Sequence, residues 1–224
     1  MTFSIVARCK QTGQFGVAVS SSSPAVAARC AFARAGVGAV SSQNITDPSL
    51  GPQCLDLMEL GADAQTALEV VTNSNDDIEY RQLGAVDANG ISAIFSGENT
   101  LGTYATASAA DVACAGNLLA NARVPTEMVN AFNATSGHLG DRLLKALKAG
   151  LDAGGEAGDI HSAGLMVVDR MSWPVVDLRV DFDDAPIERL HELWQIYKPQ
   201  IDDYIIRAID PAASPGYNVA GDDR

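Results

Sequence analysis

Residues 81–97, RQLGAVDANGISAIFSG, constrain the fold more than any other stretch of this chain. Two apolar runs flank Ala88-Asn89-Gly90, and an Asn-Gly pair between such runs predicts a β-hairpin closed by a type I′ turn. A hairpin commits the chain to antiparallel pairing. The same grammar recurs at the start, where TFSIVA (2–7) and FGVAVS (15–20) are separated by the turn residues QTGQ. VGAVSSQ (37–43) reads as a third strand, a further strand is expected within 104–114, and SAGLMVVD (162–169) and VVDLRVD (175–181) read as the last two.

Helical spacing fills the gaps in pairs. Cys54, Leu55 and Met58 share one face of a short helix that stops at Gly61. Asp63 is placed to cap the next, whose Ala64, Ala67, Leu68 and Val71 follow the helical period. Pro125 opens a third, with Met128, Val129 and Phe132 as its apolar face; Leu139, Leu143, Leu147 and Leu151 form a fourth, ended by Gly154-Gly155. A terminal stripe runs from Ile187 through Leu190, Trp194, Tyr197, Ile201 and Tyr204 to Ala208, and Pro199 is expected to kink or divide it. Such a stripe is core or a subunit contact, and a homo-oligomer is expected from it. Hairpins separated by helical pairs do not make alternating βαβ units. They predict an α+β fold, two stacked and mostly antiparallel sheets with helices outside, a four-layer αββα sandwich. Residues 1–210 are expected to form one domain, with a helical extension at about 185–210 and a flexible tail at 211–224.

Charge narrows the possible partners. The net charge is −13, which leaves no basic stripe for nucleic acid or an anionic membrane. No apolar run approaches 18 residues and no signal peptide is visible, and Cys9, Cys30, Cys54 and Cys114 lack C-x-x-C spacing. Buried reduced thiols and a cytoplasmic location are the simplest reading. Within this acidic chain residues 1–46 contain no Asp or Glu, and Arg8, Lys10, Arg29 and Arg34 make that stretch locally positive. His138, His161 and His191 show no zinc spacing, DFDDAP (181–186) lacks the alternation of a calcium loop, and neither a G-x-G-x-x-G nor a G-x-S-x-G motif occurs, so no metal or cofactor is expected.

Taken in order, TFSIVAR, GVAVSSSSPAV, ARAGVGAVSSQ, LGPQCLDLMELGADAQTAL, the Gly116-Asn117 pair, RLLKALKAGLDAGG and VDLRVD resemble the domain of unknown function 1028 family over about residues 2–195. That bacterial family is placed among the N-terminal-nucleophile hydrolases. The resemblance implies the αββα fold and hydrolysis of an amide or acyl bond in a small-molecule or peptide substrate, with Thr2 as nucleophile once Met1 is removed. The free α-amine of Thr2 would then serve as its base. Ser21 and Ser22 would contact that amine, Asn117 or backbone groups beside Gly116 would receive an oxyanion, and Gln43 would line the cleft. The proteasome branch of the superfamily places an acid and a lysine near its nucleophile. Residues 3–46 here offer no carboxylate, and Lys10 sits in a turn. The family pattern also carries a basic residue where this chain has Ser22, leaving Arg29 or Arg34 to substitute or to hold a substrate carboxylate. Composition by itself reads Thr2 as the first residue of a strand. The alternative is therefore a binding or assembly module that retains the fold without catalysis.

Overall fold

A computed structural model describes residues 1–217 and 219–222. Among the described residues ten strands form two sheets in which every neighbouring pair is antiparallel. The first holds β1 (Thr2–Arg8), β2 (Phe15–Ser21), β7 (Ala105–Ala109), β8 (Val112–Asn117), β9 (Ser162–Val168) and β10 (Val176–Val180) in the order β10-β9-β2-β1-β8-β7. The second holds β3 (Ala31–Arg34), β4 (Gly38–Asn44), β5 (Arg81–Asp87) and β6 (Ser92–Ser96) in chain order. The described residues also form seven α-helices: α1 (Ala27–Cys30), α2 (Leu50–Glu59), α3 (Ala64–Asn73), α4 (Val124–Ala134), α5 (Leu139–Asp152), α6 (Pro186–Tyr197) and α7 (Ile201–Ile209).

Strand alternation sorts the side chains into three buried clusters. On β1, Phe3, Ile5 and Ala7 join residues of α4, α5 and α6, among them Met128, Leu143, Leu147 and Trp194. Val6, on the other face, joins Val17 and Val19 of β2 and Ala39 and Val86 of the second sheet. A third cluster sets Val40, Leu83 and Ala85 of the second sheet against Cys54, Met58, Leu68 and Val71 of α2 and α3. Thr2 and Ser4 share the parity of Val6, so β1 turns them toward the second sheet.

The helix signals operate as expected. Asp63 accepts from the Thr66 amide at 2.8 Å, and Ala64, Ala67, Leu68 and Val71 are the buried residues of α3. Pro199 divides the terminal stripe with a 3₁₀ turn at Lys198–Gln200, which leaves Ile187, Leu190, Trp194 and Ile201 buried and Ile209 exposed. All four cysteines are free and buried. Among the described residues no helix is long and apolar enough to cross a membrane. Residues 218, 223 and 224 of the expected tail lie outside the described residues.

Three local readings change. The 81–97 hairpin forms, but its loop spans four residues rather than a two-residue type I′ turn. Asp87 Oδ1 accepts from the amides of Asn89 and Ile91, while its Oδ2 accepts from Ala64 N at the start of α3. A carboxylate that closes its own turn overrides the Asn-Gly preference, and Gly90 alone takes positive φ (+83°) in that loop. The segment 104–114 is two strands, β7 and β8, joined at Asp111 (φ +67°). Strand β3 was not expected: AFAR is four residues long and follows directly on the single turn of α1.

Candidate active site at the head of the first strand

Thr2 begins β1 opposite Asn117, the last residue of β8. Both are buried, at 5% and 1% exposure. The Thr2 hydroxyl lies 3.4 Å from Ser21 Oγ at the end of β2, and both hydroxyls donate to the carbonyl of Met1. Ser21 Oγ also accepts from Ser23 N at 3.1 Å, so the chain beyond β2 folds back over the site.

Behind Thr2 a chain of amides runs between the sheets. Ser4 Oγ donates to Gln43 Oε1 at 2.7 Å, and Gln43 Nε2 donates to Gln82 Oε1 at 2.8 Å. Asn117 Nδ2 reaches the same Gln82 oxygen at a longer 3.3 Å, while Gln82 Nε2 donates to Ser96 Oγ and to the carbonyl of Gly116. Register explains the meeting, because Gln43 and Gln82 are direct partners across β4 and β5. The Oδ1 atom of Asn117 is buried and has no partner among the described residues. Buried polar atoms are nearly always paired, so an open acceptor beside Thr2 marks this end of the sheet as unfinished.

A carboxylate that sequence reasoning missed completes the site. Both oxygens of Glu156 accept from the Ser22 amide, at 3.2 and 3.1 Å. Its residue pairs with Leu119 in an isolated β-bridge just beyond Asn117. Burial pushes the Glu156 carboxyl up to about 7, with the positive chain terminus and the bond from Ser22 pulling the other way. Glu156 opens onto a cavity of about 550 Å³ shared with Asp159, Asp184 and Glu188. The wall of that cavity reaches the first residue, since a Cβ placed on Gly158 would lie 3.1 Å from Met1 Cε. A cavity of about 590 Å³ between α5 and α6 shares Glu188 with it but is lined by none of Thr2, Ser21, Asn117 and Glu156.

Of the residues singled out from sequence, Thr2, Ser21, Gln43, Gly116 and Asn117 therefore meet at one end of β1. Ser22 takes part through its backbone amide. Arg29 is elsewhere engaged, donating to the carbonyls of Pro24 and Ala25, and Arg34 pairs with Asp56 and Glu59. The cationic partner expected from the early arginines is not placed at Thr2; the ionisable side chain held near this end of β1 is Glu156, through the Ser22 amide. Among the described residues no three His, Cys, Asp or Glu side chains are grouped to hold a metal ion.

Chemically, the arrangement offers a hydroxyl, a second hydroxyl in contact with it, an amide with an open oxygen, and a carboxyl group near neutrality. The crystal structure of protein SPO2555 from Silicibacter pomeroyi is similar at 30% identity and a TM-score of 0.83, over 91% of this chain and 92% of that one. Two further solved structures are similar at 10% identity. Anbu (ancestral beta-subunit) from Yersinia bercovieri has a TM-score of 0.39, over 97% of this chain and 100% of that one. The Anbu (Gly-1) mutant from Hyphomicrobium sp. strain MC1 has a TM-score of 0.44, over 89% and 96%. No curated protein matches. A model for the family of unknown function DUF1028 matches residues 2–190, and the chain belongs to that family.

Proposed function

We propose that this protein is a cytoplasmic, cofactor-free N-terminal-nucleophile hydrolase of αββα architecture, cleaving an amide or acyl bond with Thr2. One observation carries the reading: the Thr2 hydroxyl, Ser21 and Asn117 converge in a buried site where Asn117 Oδ1 lacks a partner. Removal of Met1 creates an α-amine on Thr2, takes away the carbonyl that now holds both hydroxyls, and opens the site toward the cavity lined by Glu156. The neutral amine accepts the Oγ1 proton as Oγ1 attacks the substrate carbonyl carbon. Asn117 Nδ2 then receives the oxyanion. Its bond to Gln82 Oε1 is long and redundant, because Gln43 Nε2 already occupies that oxygen. The Thr2 ammonium returns the proton to the leaving group, and water releases the acyl group from Oγ1. Glu156 acts as a positioning residue: it clamps the Ser22 amide, and so the turn that presents Ser21 to Thr2.

The four-layer architecture is part of this proposal. It is supported by the three clusters, one between the sheets and one on each outer side. A second reading is favoured by the bond from Thr2 to the Met1 carbonyl: a chain that keeps Met1 is a binding or assembly module. The test is to treat Met1-free protein with an electrophilic β-lactone and map the adduct by mass spectrometry. An ester on Thr2 that is lost in Thr2→Ala supports catalysis. Labelling elsewhere, no labelling, or Met1 retained throughout protein from the native source overturns it.

A further inference from the structure

Where β1 ends, the molecule carries a further cavity, of about 310 Å³, with a chemistry opposite to that of the Glu156 side. Three cations line it: Arg8, Lys10 and Arg142. The carboxylate in its wall, Asp111, is already paired with Arg8 at 2.8 Å. Neither Lys10 nor Arg142 has a carboxylate partner among the described residues. This local excess of positive charge stands in a chain whose net charge is −13.

Arg142 is the held cation of this wall. Its guanidinium carbon lies over the Phe132 ring, 3.8 Å from the centroid, and Nη2 donates to the Phe132 carbonyl at 3.4 Å, two contacts that hold the side chain in place. Its Nε is buried and has no acceptor. A held guanidinium with an unused donor is preorganised for a carboxylate or phosphate, whose oxygens match its fork. Asn133 and Ser136 stand in the same wall as further donors. Cys9, also in the wall, reports the local field. Burial raises its thiol, yet hydrogen bonds from Thr12 and Gln11 and the charge of Arg142 lower it overall.

We infer that this cavity is a binding site for a small oxyanion, a carboxylate or a phosphate, held by Arg142 and Lys10 beside the Arg8–Asp111 pair. The site is independent of the proposed chemistry at Thr2.

Isothermal titration of the full chain with inorganic phosphate, and separately with succinate, against sodium chloride at matched ionic strength, tests it. Saturable binding of either probe is expected, weakened about tenfold or more in Arg142→Gln, the loss of one charge-assisted contact. Phosphate alone binding identifies a phosphoryl ligand, and succinate alone a carboxylate. Cys9 gives a second readout, because burial pushes Cys30 and Cys114 up and Cys54 up to about 12. Iodoacetamide is therefore expected to alkylate Cys9 first, and the bound anion to slow that reaction in the parent chain but not in Arg142→Gln. If Arg142→Gln fails to fold, Lys10→Gln, at an exposed turn, must weaken binding instead. No binding beyond the chloride control, an adventitious ion only, or binding unchanged in the folded variants overturns the assignment.

Discussion

Glu156→Gln isolates the cost of keeping an acid beside the chain terminus. The side chain is 4% exposed, and its carboxyl is pushed up to about 7 from an ordinary 4.5. The sign follows from linkage: the folded protein holds this proton more tightly than the unfolded chain does. The stabilisation is complete below the unfolded value near 4.5 and is lost as pH rises through about 7. Between about pH 5 and pH 8 that loss amounts to about 2–3 kcal/mol, taking about 1.4 kcal/mol for each tenfold change in proton affinity. Glutamine keeps the shape and one acceptor for Ser22 N but carries no titrating proton. The two proteins must therefore diverge with pH, the variant gaining on the parent chain by about 2–3 kcal/mol from the acidic to the alkaline end. In urea unfolding that gain is a relative shift of about 1 M in midpoint, using slopes usual for domains. A stability difference between variant and parent that is the same at both pH values would refute the reasoning, because it would mean that Glu156 pays nothing for ionising where it sits.

Two further outcomes test the scaffold around the site. Gln82→Leu removes the oxygen that serves both Gln43 and Asn117, and stranding those buried donors is expected to cost about 2–4 kcal/mol in urea unfolding. Gly140→Ala would set a methyl 2.6 Å from the Trp194 ring, which is itself held by its Nε1 bond to Asp141. Overpacking of about 1–3 kcal/mol outweighs the helix preference of alanine, so thermal unfolding is expected to fall by a few degrees, with a change in tryptophan fluorescence.

Much of this architecture is written locally. The period of Ala64, Ala67, Leu68 and Val71 behind a capping Asp63 needs no tertiary information, and neither does the break at Pro199. The alternation of β1 even foretells that Thr2 and Ser4 share a face. Where local rules fail, a distant group has intervened. Asp87 closes the 88–91 loop and caps α3 with one carboxylate, and a turn propensity read over two residues cannot register that double demand.

Glu156 shows the same limit at the site itself. Its neighbours Gly154 and Gly155 announce the end of a helix and nothing more, with φ of +125° and +58°. What makes Glu156 matter is its β-bridge to Leu119, two residues past Asn117, and its hold on the amide of Ser22, which is 134 positions away in the chain. Neither pairing has a periodic signature. The absence of any carboxylate from residues 1–46 argues against an acid beside Thr2 only if the acid must come from nearby sequence. The fold brings one from beyond the end of α5 to the Ser22 amide, next to the Ser21 that touches Thr2. Because its charge is costly in that place, the chain gains nothing in stability from an ionised carboxyl that a neutral side chain could not provide. What the acid does provide is a pair of oxygens on the Ser22 amide, and so a hold on the turn that sets Ser21 against Thr2, the positioning role proposed for it.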